Sequence, residues 1–188
     1  MPDWLVKYWI ESFGVAKTEK ILAAFQEPPH MCIRVNTLKI SVEDLKVKLS
    51  EEGISFESVP YIKEALLIQE RADLIFGDLL QKGFIYIQSI SSMMPAVILE
   101  ASPHEKILDM CAAPGSKTTY LASCMNNRGT IDAWDIYPHK IHLIEENAKR
   151  LGISIIRLNL PDDFSFMDTS IFIQPFTHIK WKLIHLVK

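Results

Sequence analysis

Residues 105–118 read EKILDMCAAPGSKT, and this stretch decides the fold. The apolar pair Ile107-Leu108 starts a short strand that ends at Asp109. Six small or turn-forming residues follow, Cys111, Ala112, Ala113, Pro114, Gly115 and Ser116, and the spacing starts a helix near Lys117. Small side chains let a backbone come close to a ligand. The free N–H groups at a helix start favour a carboxylate or phosphate. The stretch therefore predicts a strand–loop–helix unit holding a small anionic group at the carboxyl edge of a parallel sheet.

Two chemistries use such a loop. A phosphate-binding loop requires G-x-x-x-x-G-K-S/T. Here Cys111 stands at the first glycine position and Ser116 at the second, so only Lys117-Thr118 fit. A nucleoside-cofactor site instead places an acid at the end of the next strand, about 20 residues on. Residues 129–135, GTIDAWD, read as that strand, and Asp135 lies 20 positions after Gly115. Its carboxylate suits both hydroxyls of a ribose; the alternative is that it caps the next helix.

The strings LDMCAAPGSKT, AWDIYPHK and ENAKRLG together resemble the S-adenosylmethionine-dependent RNA cytosine-5 methyltransferases of the Sun family, whose bacterial members modify small-subunit ribosomal RNA. PDWLVKYWIESFG, PPHMCIRVNTLK and GFIYIQSISSMM fit the family's order upstream, so the resemblance covers roughly residues 2–158. Ser116 replaces a usual glycine, and Ser89 stands where an acid commonly follows Gln88. The resemblance implies that Cys111, Ala112, Ala113, Pro114, Gly115, Ser116 and Lys117 hold the methionine part of S-adenosylmethionine, that Asp135 holds its ribose, and that Asp162 or Asp163 meets its adenine. It also implies an RNA partner, small-subunit ribosomal RNA, and a cytoplasmic location.

Cytosine C5 is a weak nucleophile toward a sulfonium methyl. Covalent catalysis solves this: a thiolate adds at C6, C5 attacks the methyl, and a base removes the C5 proton. The base must first leave its stack. The family draws the thiol from a D-A-P-C-S-G segment and a second cysteine from T-C-S; neither string occurs here. Cys32, Cys111 and Cys124 stand in other contexts, so no catalytic residue is assigned. Residues 105–188 also give room for about three strands with their helices, at some 30 residues per βαβ unit, against the seven-stranded sheet that the resemblance implies.

At 188 residues and 48% hydrophobic, the chain has ample material for a core. Its formal charge of −3 divides into 10 basic and 14 acidic groups over residues 1–100, and 10 and 9 over the rest. That is not the basic footprint of a tight non-specific nucleic-acid binder, so RNA binding rests on the resemblance alone. Three cysteines without C-x-x-C spacing suit reduced thiols in a cytoplasm. No signal-peptide pattern and no membrane-length apolar run stands out.

Residues 2–27 read as two helices broken at Gly14 and stopped by Pro28-Pro29, with Trp4, Leu5, Tyr8, Trp9 and Phe13 at helical spacing, a stripe that suits core packing, with stacking on bases as the alternative. Residues 31–87 read as a small α/β module: strands at 31–38, 54–59, 65–69 and 84–88, and a helix opened by the capping box Ser41-Val42-Glu43-Asp44. In the family this region resembles an RNA-recognition-type fold. Arg34 and Asn36 match its pattern, either meeting RNA or fixing the strand to its neighbour. A helix over 92–100 places Pro95 in its first turn. Then follow strand 107–110, helix 117–125, strand 129–135, helix 138–151 and strand 153–158. His139 and His142 share a helix face with no third ligand in sight, so no metal is expected.

The expected fold class is α/β: N-terminal helices and an RNA-recognition-like module over 1–90, a partial Rossmann-like methyltransferase domain over 91–163, and a divergent tail over 164–188. That tail, from Phe164, reads either as one or two edge strands or as coding sequence out of frame. As an incomplete sheet, the domain invites a partner over its open edge. The leading function is methyl transfer from S-adenosylmethionine to cytosine C5 of RNA, with this chain expected to be C-terminally truncated and inactive alone. A non-catalytic protein binding S-adenosylmethionine or RNA is the alternative, and a P-loop nucleotidase the third reading.

Overall fold

The computed structural model describes residues 1–26, 31–69, 73–160 and 181–184. The chain divides into two compact units, residues 1–30 and 31–188.

In the first unit, α1 (Asp3–Phe13) and α2 (Val15–Ala24) meet at Gly14, whose φ of 79° breaks the helix. Trp9 stacks on Phe25 with centroids 5.8 Å apart, and Lys17 lies over the Phe13 ring. Thr18 is buried, but Trp4, Tyr8 and Phe13 stand exposed, against the core packing that their spacing predicts.

The second unit opens with a βαββαβ run: β1 (Met31–Val35), α3 (Val42–Glu51), β2 (Phe56–Val59), β3 (Ile62–Ile68), α4 (Asp73–Gln81) and β4 (Ile85–Ile87). The strands form an antiparallel sheet in the order β2-β3-β1-β4, the ferredoxin-like arrangement. The capping box holds: Ser41 Oγ accepts the Asp44 N–H at 3.0 Å. Helix α4 has no counterpart in the sequence reading, because Gly77 interrupts its apolar run.

The second lobe begins with α5 (Ile90–Leu99) and continues through β5 (Lys106–Asp109), α6 (Ser116–Cys124), β6 (Thr130–Trp134), α7 (Pro138–Leu151), β7 (Ile156–Asn159) and β8 (Trp181–Ile184). Its strands are all parallel, in the order β7-β6-β5-β8. Helix α5 starts two residues earlier than expected because Ser89 caps it, accepting the Ser92 N–H at 3.3 Å. Pro95 therefore sits in the second turn, and the Ser91 carbonyl one turn back receives no proline N–H. The acid common at the Ser89 position would serve the same capping role. Of the tail, residues 181–184 form an edge strand beside β5.

Strand β1 joins the lobes. Its side chains alternate between two faces. Ile33 and Val35 enter a core with Leu45, Leu49, Leu66, Phe76 and Leu79. Cys32 faces the other way, into a core with Met93, Tyr120, Leu121, Met125, Ile131 and Leu151. The second of these cores is thus built from both lobes.

Candidate cofactor site

Strand β5 is flanked by β6, which leads by a forward crossover to β7, and on its other side by β8. The strand order reverses there, and the crevice at such a switch point is where open α/β sheets take ligands. The loop 110–115 leaves β5 at that edge and turns into α6 at Gly115.

Several backbone groups of the loop are tied down. The Cys111 N–H reaches Asp109 Oδ1 at 3.3 Å, Ala112 N–H donates to the Trp134 carbonyl at 2.9 Å, and Ala113 N–H donates to Asp135 Oδ2 at 3.0 Å. The Ala113–Pro114 peptide is cis. Asn147 Nδ2 of α7 donates to the Pro114 carbonyl at 2.9 Å. Gly115 has φ 97°, and a Cβ there would lie 3.3 Å from Ile144 Cα, so the loop packs directly on α7. A larger residue would meet both strain and crowding.

Asp109 is buried, and its Oδ2 accepts the Thr118 hydroxyl at 2.7 Å. Burial raises its pKa, more than the Thr118 and Cys111 hydrogen bonds lower it. The carboxyl thus ties the end of β5 to the first turn of α6. Those first helical N–H groups have no intrahelical acceptors.

Asp135 is also buried, 6% exposed, at the carboxyl end of β6. Its Oδ1 accepts the Tyr137 N–H at 3.1 Å, an Asx-type turn, while Oδ2 holds the loop. Tyr137 is the N-cap residue of α7, so the carboxylate bonds both the start of that helix and the loop. A carboxylate has about four acceptor positions, so two remain after these bonds. The loop residues Cys111 to Lys117 and Asp135 are thus brought together. Asp162 and Asp163 lie outside the described residues.

Arg34 and Asn36 face the second lobe. Asn36 Nδ2 donates to the Gly83 carbonyl at 2.8 Å and to the Leu151 carbonyl at 2.9 Å, capping the end of α7 from across the lobe boundary. Lys39 Nζ adds a bond to the Arg150 carbonyl at 2.8 Å. A Cβ on Gly83 would collide with that same carbonyl. Arg34 is fully buried between the rings of Tyr86 and Tyr120. The Arg34 and Asn147 contacts join residues remote in sequence, and only the polar character of Arg34 and Asn36 on a strand signals them; the Asp109–Thr118 bond is local, nine residues apart, with no sequence pattern that marks it.

Cys32 is buried and Cys124 half-buried, and burial pushes both thiols up to about 11. Cys111 is exposed on the loop. No group of three or more His, Cys, Asp or Glu side chains gathers among the described residues. Among them, no helix is long and apolar enough to cross a membrane.

Comparison with known proteins agrees with this geometry. Residues 1–74 match the model described as Methyltr_RsmF/B-like, ferredoxin-like domain, and residues 96–174 match 16S rRNA methyltransferase RsmB/F. The chain belongs to the RsmB/F methyltransferase family. It is 35% identical over 161 residues to the probable ribosomal RNA small subunit methyltransferase B of Bacillus subtilis, covering 86% of this chain and 36% of that one. It is 36% identical to the tRNA (cytosine(49)-C(5))-methyltransferase of Pyrococcus abyssi, covering 79% and 48%. The chain spans about a third of the length of the ribosomal RNA methyltransferases it matches. Among solved structures, the methyltransferase homolog protein from Pyrococcus horikoshii superposes with a TM-score of 0.79 at 34% identity, over 90% of this chain and 56% of that one. NSun6 from the same organism, solved with SFG, superposes with a TM-score of 0.78 at 25% identity, over 86% and 65%. The match to this RsmB/F chain therefore takes in both the ferredoxin-like lobe and the lobe that carries the loop.

Proposed function

We propose that this chain carries the cofactor-binding part of an S-adenosylmethionine-dependent RNA cytosine-5 methyltransferase. The observation that carries the reading is the bond from Ala113 N–H to Asp135, which unites the loop and the acid at the sheet's switch point. Cys111 to Lys117 hold the methionine end of S-adenosylmethionine, and the remaining lone pairs of Asp135 hold its ribose diol. Asp162 meets the adenine. The residues fit the group: the loop side chains are small, and the acid stands at the carboxyl edge. The cofactor supplies a methyl on a sulfonium sulfur.

The relatives named for small-subunit ribosomal RNA and for tRNA support an RNA substrate, with small-subunit ribosomal RNA the favoured one. Residues 1–90 handle the RNA and residues 91–163 the cofactor, with β8 joining the sheet of the cofactor lobe; the setting is the cytoplasm, with no metal required. None of the three cysteines stands in a D-A-P-C-S-G or T-C-S context, and two are held as thiols by burial. The chain alone therefore gives no covalent RNA adduct. A non-catalytic S-adenosylmethionine-binding protein is the alternative. Incubation with tritiated S-adenosylmethionine and unmodified ribosomal RNA separates the two when segments carrying the D-A-P-C-S-G and T-C-S strings are supplied as a second polypeptide. Restored incorporation supports the methyltransferase; none, with cofactor binding intact, supports the alternative.

A further inference from the structure

Arg34 is 0% exposed, yet no salt bridge engages it among the described residues. Its Nη1 donates to Gln88 Oε1 at 2.6 Å and to the Ser116 carbonyl at 2.6 Å, 82 positions later in the chain. Its Nη2 donates to Thr119 Oγ1 at 3.1 Å. Nε is buried without a hydrogen-bond partner. The rings of Tyr86 and Tyr120 lie 5.0 and 4.8 Å from the guanidinium carbon. Gln88 is itself fixed, its Nε2 donating to the Ser92 carbonyl at 3.0 Å.

Burying a cation without a carboxylate partner is costly. At a position needed only for packing, an apolar side chain of similar volume would serve better. The charge is directed instead at one place, the carbonyl of the first residue of α6 and the hydroxyl one turn on. A guanidinium is a rigid planar fork, so its bonds to Gln88, Ser116 and Thr119 set those groups in fixed relation. Strand alternation delivers Arg34 to this face, since Ile33 and Val35 occupy the other.

We infer that Arg34 of the ferredoxin-like lobe is a positioning residue for the cofactor loop, setting the start of α6 and, with it, the backbone of residues 113–117. The inference rests on the proposed cofactor reading for its effect on binding, but not for its effect on the loop. It makes cofactor affinity depend on the lobe proposed to handle RNA, through one side chain.

The test uses the full chain and two variants, Arg34→Lys and Thr119→Val. Two readouts are taken: calorimetric affinity for S-adenosylhomocysteine, and amide hydrogen exchange at residues 115, 118 and 119 against 33 and 66 in the other lobe. Arg34→Lys is expected to weaken binding by about tenfold, the loss carried by one hydrogen bond to a charged group. Exchange should quicken at 115, 118 and 119 while 33 and 66 stay protected. Unchanged exchange at the loop, or equal quickening in both lobes, overturns the inference. If wild type binds no S-adenosylhomocysteine, the cofactor reading fails and the exchange pattern alone decides the role of Arg34. Should Arg34→Lys not fold, Thr119→Val, which deletes one of the three Arg34 bonds together with the bond from the Thr119 hydroxyl to the Ser116 carbonyl, is read by the same criteria.

Discussion

Asp135 Oδ2 accepts the Ala113 N–H at 3.0 Å, so the acid at the end of β6 also holds the loop that follows β5. One carboxylate thus shapes the site and, in the proposed role, binds the ribose. Asp135→Ala removes the diol's charged acceptor, a loss of roughly 1.5–3 kcal/mol in S-adenosylhomocysteine binding. Asp135→Asn keeps one acceptor and should lose less. Isothermal calorimetry on the three proteins checks the order; equal affinities would remove Asp135 from the cofactor site.

Gly115→Ala should lower unfolding free energy by about 1–2 kcal/mol, because φ at this position lies in the left-handed region. Contact with Ile144 adds to that loss. Urea denaturation measures it. A variant as stable as wild type would mean that the loop does not need glycine's freedom.

The lobe boundary gives a third prediction. Asn36→Leu strips donors from the Gly83 and Leu151 carbonyls, with an expected loss of about 1–3 kcal/mol. A neutral result in the same denaturation assay would show that these carbonyls find water instead.

Asp109 sets a pH dependence. Burial raises its pKa above the ordinary carboxylate value, so the folded chain binds this proton more readily than the unfolded one. Its contribution to stability is therefore present at acid pH and is lost as pH rises from about 4 upward. Urea midpoints of wild type relative to Asp109→Asn should fall across that range. A difference independent of pH would contradict the raised pKa.

Cys111→Ser should change nothing in trapping by 5-fluorocytosine RNA, since neither form carries a nucleophile in the family's context. An adduct formed by wild type and lost in the variant would make Cys111 catalytic.

Local chemistry made the loop legible in advance. Gly115, Pro114 and the alanines mark a close-approach turn, and the spacing to Asp135 follows from one strand–helix–strand unit. Helix α7 was equally plain, with Ile144, Ala148 and Leu151 on one buried face and Gly152 closing it in the left-handed region. Helix α4 was missed because Gly77 lowers helix propensity in mid-run. The role of Arg34 could not be settled from sequence, since its partners Ser116 and Thr119 lie on another lobe. The exposure of Trp4 and Tyr8 was likewise invisible, because periodicity records which residues share a face and not whether anything covers it.

The central claim is that the loop and Asp135 hold S-adenosylmethionine. Calorimetric titration of the whole chain with S-adenosylhomocysteine, with ATP as the comparison ligand, tests it most directly. One site for S-adenosylhomocysteine is expected, abolished or strongly weakened in Asp135→Ala, with no comparable heat from ATP. Binding of ATP in preference to S-adenosylhomocysteine, or no binding of S-adenosylhomocysteine by the folded chain, would contradict it.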